Sequence, residues 1–258
     1  MRQVVDGGTM NGLLRFSRAL VRQAFATCGL EIRRFPEPAA NLLARQRLWQ
    51  TLGIDLVLDV GANRGQFGHM LRREHLYQGR IHSFEPLSDA FAILQKAAAK
   101  DERWTVERTA LGATDGNAIL HVAANSYSSS LLPMTTTLLH SAPQASPIAE
   151  ATVPVTRLDR RFGEISLGAH AVAMKLDTQG AEAAILQGAS GCLDQIRLIE
   201  MEMSLITLYE GETLFMDAWR QLQEFGYELV HVEPEFYDPH TGRTLQVNGT
   251  FVLKGCLG

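Results

Sequence analysis

The run Val57-Leu58-Asp59-Val60-Gly61-Ala62-Asn63-Arg64-Gly65-Gln66-Phe67-Gly68 decides how this chain folds. It reads as an apolar strand, a glycine-rich turn and the start of a helix. Downstream, Ile81-His82-Ser83-Phe84-Glu85-Pro86 gives a second strand, closed by one acid and one proline. Strand, glycine turn, helix, strand and acid, in that order, form the unit with which a doubly wound sheet holds an adenosine-containing cofactor. The glycines let backbone N–H groups approach the ligand, and the acid accepts from the ribose hydroxyls.

Outward from this unit, strands are expected at 55–60, 80–84, 104–109, 171–177, 196–203, 227–233 and 248–254. Helices are expected at 39–52, 65–74, 87–99, 181–188 and 213–225, with Gly226 as a C-terminal cap of the last. Alternating strands and helices imply an α/β fold in which crossover helices feed one sheet. The stretch 117–159 breaks the rhythm. Ile119-Leu120-His121-Val122 and Thr152-Val153-Pro154-Val155 alternate as two strands of an inserted hairpin, and the polar, proline-punctuated chain between them reads as a lid or a mobile loop. Before the domain, Leu13, Phe16, Leu20 and Ala24 make one helical stripe over 11–28, with Arg15, Arg18 and Arg22 opposite. That helix is expected to pack on the domain or a second subunit, with contact to a membrane surface as the other reading. The expected organisation is a helical extension over 1–50 and a cofactor-binding domain over 51–258.

Composition limits the function classes. A net charge of −4 over 258 residues gives no basic footprint for nucleic acid. Cys28, Cys192 and Cys256 are widely spaced and form no metal-binding pair, which fits a reducing compartment. Neither a spanning apolar run nor a signal-peptide layout is present, so the cytoplasm is the expected location. A homo-oligomer is a further expectation.

The glycine turn discriminates between cofactors. A nicotinamide or flavin site favours G-x-G-x-x-G, with the second glycine making room for a diphosphate. Here that place is taken by Asn63, whose amide obstructs such a passage. S-adenosylmethionine (SAM) has no phosphate and carries an amino acid portion instead. Asp59 is expected near its ammonium group, Asn63 and the backbone around Gly61 and Gly65 near its carboxylate, and Glu85 on the ribose hydroxyls.

The chain resembles the FkbM-type SAM-dependent methyltransferases over about residues 45–254. The resemblance rests on the 57–65 run, Ser83-Phe84-Glu85-Pro86, Ala110-Leu111-Gly112, Ser128-Ser129-Ser130-Leu131, Val155-Thr156-Arg157-Leu158-Asp159, Lys175-Leu176-Asp177-Thr178-Gln179-Gly180-Ala181-Glu182 and Ile199-Glu200-Met201-Glu202. Thr178 stands where the family commonly has valine. The resemblance implies a Rossmann-like class I methyltransferase: a seven-stranded, mostly parallel sheet with an antiparallel last strand and helices on both faces. It implies O-methylation of a sugar, glycolipid or secondary metabolite in natural product biosynthesis, with Phe67, Pro86, Ala110, Leu111 and Ser130 also bordering the cofactor.

The chemistry is expected at the end of the fourth parallel strand. Lys175 and Asp177 lie two apart and share one face. A charge on a buried strand is costly unless it is paired or functional. Asp177 is therefore read as a general base or metal ligand, with a structural ion pair to Lys175 as the other reading. Glu200 and Glu202 share a face of the next strand, and with Asp177 they would make an oxygen-rich cluster for Mg²⁺ or hydrogen-bond a sugar. Glu182 starts the following helix, where an acid suits the helix dipole. The competing functions are an NAD(P)-dependent oxidoreductase, disfavoured by Asn63, and a non-catalytic SAM-binding partner protein.

Overall fold

The computed structural model of the chain describes residues 39–257. The amphipathic segment 11–28 lies outside the described residues. The chain divides between Leu48 and Trp49, and the second unit carries the site.

In chain order, α1 (Ala39–Leu52), β1 (Leu56–Val60), α2 (Gln66–Arg73), β2 (Arg80–Phe84), α3 (Ser88–Ala98) and β3 (Trp104–Glu107) form the first half. After these come β4 (Ala110–Leu111), β5 (Gly116–Ala123), α4 (Thr136–Ser141), β6 (Pro147–Thr156) and α5 (Leu158–Ile165). The chain then runs through β7 (Val172–Leu176), α6 (Glu182–Gly188), β8 (Ile196–Ser204), α7 (Phe215–Glu224), β9 (Tyr227–Tyr237) and β10 (Thr244–Leu253). Seven strands make one sheet in the order β3-β2-β1-β7-β8-β10-β9, and β10 alone runs antiparallel to its neighbours. This is the expected α/β architecture. Strand order reverses between β1 and β7, and a crevice opens at such a switch point at the carboxyl ends of the strands.

β1 is buried along its whole length, as a central parallel strand covered on both faces must be. One sheet face is apolar. Leu58, Val60, Phe84, Met174, Leu176, Ile199 and Met201 pack there against Leu158 and Phe162 of α5, Ile185 and Leu186 of α6, and Ala218 and Leu222 of α7. The register places Ser83, Asp59, Lys175, Glu200 and Thr250 side by side on β2, β1, β7, β8 and β10. In-register neighbours point to one face, so a polar row crosses the middle of the sheet.

The two runs of the insertion pair as expected, with Ile119 opposite Thr152 and Ala118 opposite Val153. Pairing of β6 with β4 completes a separate three-stranded sheet. Two differences from the expected elements have physical causes. α5 went unread because its eight residues carry only Leu158 and Phe162 as buried apolar positions, too few to show a helical period. β9 and β10 run longer than expected because they pair with each other out to Tyr237 and Thr244, a tertiary gain that Glu233 and Glu235 do not advertise.

Candidate cofactor and methyl-transfer site

At the switch point, the ends of β1, β2 and β7, together with β4, surround a cavity. Gly61, Asn63, Glu85, Pro86, Ala110, Leu111 and Asp177 line it, all named from the sequence. Thr109, Leu120 and Leu131 add apolar wall. Ser126, Tyr127 and Ser129 roof it from the loop after β5.

Glu85 lines this cavity at the end of β2, and only 5% of its surface is exposed. Its Oε2 accepts from the Asn63 backbone N–H and its Oε1 from the Leu87 N–H, each at 2.8 Å. Burial pushes its carboxyl up to about 7, against the pull of those two N–H groups. Each oxygen keeps a lone pair for a further donor, so the carboxylate suits a pair of ribose hydroxyls. Asn63 adopts a left-handed φ of 49°, and its side-chain amide meets the Ser126 hydroxyl at 3.4 Å. Ser126 is itself left-handed, with φ 56°. Turn and roof thus touch across the mouth.

Asp177 follows β7 and faces the cavity. Its Oδ2 accepts from Lys175 Nζ at 3.0 Å and its Oδ1 from Gln179 Nε2 at 2.9 Å. Burial alone would lower the Lys175 ammonium. The carboxylates of Asp177 and Asp59 outweigh it and hold the ammonium above the ordinary lysine range. The sequence placed Lys175 and Asp177 on one face, and the structure pairs them.

Four residues expected at the cofactor stand elsewhere. Asp59 is completely buried and absent from the cavity wall. Its Oδ2 accepts from Ser83 Oγ at 2.9 Å, its Oδ1 lies 3.9 Å from Lys175 Nζ, and burial raises its carboxyl. Gly65 faces Leu94 and Trp104. The Phe67 ring lies under the Lys175 ammonium at 5.3 Å. Ser130 is buried behind the roof, donating to the Gln179 carbonyl at 2.6 Å, while Ser129 reaches the cavity.

The expected Mg²⁺ cluster does not assemble. Glu200 accepts from Trp49 Nε1 at 3.3 Å, whereas Glu202 Oε2 accepts from Gln179 Nε2 at 2.8 Å and Gln246 Nε2 at 2.9 Å. The two glutamates are thus drawn to different partners. Among the described residues, no three His, Cys, Asp or Glu side chains are arranged to hold a metal ion. Burial, and then the carboxylates of Asp177 and Glu182, push Glu202 well above the ordinary carboxyl range. Glu182 closes the turn after Asp177, accepting from Thr178 N, Thr178 Oγ1 and Gly180 N at 2.8, 2.9 and 3.0 Å.

Sequence reasoning passed over Gln179 and Tyr209. Tyr209 is fully buried, and its hydroxyl donates to Gln179 Oε1 at 2.7 Å. A left-handed φ of 59° at Gln179 is the kind of strain that collects at functional turns, but it cannot be read from a one-letter string.

The methyltransferase FkbM domain matches residues 59–229, from the end of β1 into β9. The chain belongs to the FkbM methyltransferase family. Its sheet has the seven, mostly parallel strands with an antiparallel last strand that the resemblance implied. Solved structures similar to it include methyltransferase FkbM from Methylobacillus flagellatus KT, at 14% identity and a TM-score of 0.47. That match covers 76% of this chain and 43% of the other, so the FkbM chain described here spans less than half of that relative. Magnesium protoporphyrin IX methyltransferase (ChlM) from Synechocystis PCC 6803, with bound SAM, matches at 11% identity and a TM-score of 0.46, over 98% of this chain and 100% of that one. Aeropyrum pernix fibrillarin, with natively bound SAM, matches at 12% identity and a TM-score of 0.45, over 77% and 66%. No curated protein sequence matches the chain. Among the described residues, no helix is long and apolar enough to cross a membrane.

Proposed function

We propose that this protein is an O-methyltransferase acting on a hydroxyl of a sugar, glycolipid or secondary metabolite. The observation that carries the reading is the pairing, in one cavity, of a buried ribose-type acceptor, Glu85, with a solvent-reachable carboxylate, Asp177, fixed by donors on both oxygens. Bound there, SAM supplies an electrophilic methyl group on its sulfonium. Glu85 accepts from the ribose hydroxyls, and Ala110, Leu111, Leu120 and Leu131 offer an apolar slot for the base. The roof of Ser126, Tyr127 and Ser129 excludes water from the reacting atoms. Asp177 takes the proton of the acceptor hydroxyl as it attacks, since an alcohol at its ordinary pKa needs that proton removed. Lys175 holds the carboxylate in place for the transfer.

Calorimetry with SAM and S-adenosylhomocysteine, followed by a panel of hydroxyl acceptors, tests this reading. Glu85→Ala is expected to weaken cofactor binding roughly 10- to 100-fold, the worth of hydrogen bonds to a charged group. Asp177→Asn is expected to lower turnover about 10²- to 10⁴-fold with little change in S-adenosylhomocysteine affinity. Binding of NADH in place of SAM sinks the proposal, and unchanged turnover in Asp177→Asn removes the base.

A further inference from the structure

We infer that Gln179 is a positioning residue: its carboxamide sets the direction of the Asp177 carboxylate and locks it to Glu202 and to the cavity roof. Its Nε2 carries two protons, and both are used, one on Asp177 Oδ1 at 2.9 Å and one on Glu202 Oε2 at 2.8 Å. Its Oε1 accepts from the buried Tyr209 hydroxyl at 2.7 Å. Its own carbonyl accepts from Ser130 behind the roof, and the Tyr209 hydroxyl also reaches the Ser128 carbonyl at 3.1 Å. A flipped amide would aim its oxygen at the Asp177 carboxylate, so that carboxylate fixes the amide's orientation. The Tyr209 end of the network is fastened independently. Glu212 accepts from the Leu208 and Tyr209 backbone N–H groups, and Thr135 N donates to the Leu208 carbonyl at 2.9 Å. The roof and the segment around 204–212 therefore reach Asp177 through one side chain.

The same donor offers Asp177 a neutral tether where Lys175 offers a charged one. With both oxygens engaged, the carboxylate plane has one orientation, and the face it presents to the cavity is set before an acceptor arrives. Loss of the amide leaves Lys175 alone on Oδ2, about which the carboxylate can turn. The left-handed backbone at Gln179 costs energy for any residue except glycine. Keeping a long amide there is consistent with a use for the side chain.

The inference rests on the reading of Asp177 as the base at the reacting methyl group, which puts its carboxylate near the sulfonium, and its test separates the two. In the full chain, the affinities for SAM, which carries the positive sulfonium, and for neutral S-adenosylhomocysteine are measured by calorimetry. Gln179→Gly accepts the left-handed backbone and removes only the side chain. It is expected to leave S-adenosylhomocysteine affinity within about threefold and to lower the SAM-to-S-adenosylhomocysteine affinity ratio roughly fivefold, because a charge turned by an ångström or two loses part of its attraction for a cation. A crystal structure of that variant with S-adenosylhomocysteine is expected to show the Asp177 carboxylate rotated, still held by Lys175. Tyr209→Phe, which frees the amide oxygen, is expected to lower the ratio to a smaller extent. An unchanged ratio in Gln179→Gly, or an equal loss of both affinities, overturns the positioning role. Failure of the unaltered protein to bind either compound overturns the cofactor reading instead.

Discussion

Glu85 shows what a single buried acid does to the energetics. The fold raises its carboxyl from 4.5 to about 7, chiefly by burial. Between those pH values the folded chain keeps a proton that the unfolded chain has released, so stability falls as pH rises through the window. The contribution is fully present below about pH 4.5 and fully lost above about 7, a change of about 3 kcal/mol. A ligand whose hydroxyls donate to the ionised carboxylate reverses the balance. S-adenosylhomocysteine affinity is therefore expected to increase as pH rises through about 7, with protons released on binding. Calorimetry in buffers of different ionisation heat measures that release. Glu85→Gln is expected to abolish it, and a pH-independent affinity in the unaltered chain removes Glu85 from the ribose.

The glycines of the first turn act on whole elements. The sequence assigned them to close approach of a ligand. The structure instead fills their missing side chains with protein. A Cβ on Gly61, whose φ is +79°, would lie 1.9 Å from the Asp177 carbonyl, and one on Gly68 would lie 2.2 Å from the Trp104 ring. Gly61 thus lets the β1 turn pack on the end of β7, which brings Asp177 to the cavity. Gly68 lets α2 settle on Trp104, whose indole N–H donates to Ser83 at 2.9 Å beneath Asp59. Gly61→Ala combines a left-handed φ with a backbone clash and is expected to cost about 3 kcal/mol or more. Gly68→Ala meets a side chain instead of backbone, at an ordinary helical φ, and is expected to cost about 1–3 kcal/mol. Urea denaturation midpoints measure both, and equal midpoints for the two variants would contradict the ranking.

Across the whole molecule, the cavity joins the main sheet to the three-stranded insertion, so ligand binding is felt on both. Hydrogen exchange is expected to slow on adding S-adenosylhomocysteine in residues 124–131 and 177–181, and to stay unchanged in α7 and β9, which do not line the cavity. Uniform slowing across the chain would show that the roof is not a separate opening unit.

Local pattern was enough for the doubly wound sheet. The apolar runs of β1, β7 and β8 and the punctuation by Gly61 and Glu85 repeat at short range, and backbone geometry turns that periodicity into strands and turns. The cofactor expectation rests on the same kind of local signal, since Asn63 sits inside a turn whose shape depends on adjacent residues. The fate of the polar groups was not. Asp59 reads like a ligand contact but is buried within the polar row of the sheet, bonded to Ser83. Glu200 and Glu202 read like a metal cluster but are drawn apart by Trp49 and by Gln179 with Gln246. Gln179 meets Tyr209 thirty residues away and Ser130 forty-nine away. Strand register and burial bring those groups together, and neither quantity is carried by a residue's neighbours in the chain. The sequence by itself determined the fold; only the tertiary structure decided which carboxylates face the cavity and what holds them there.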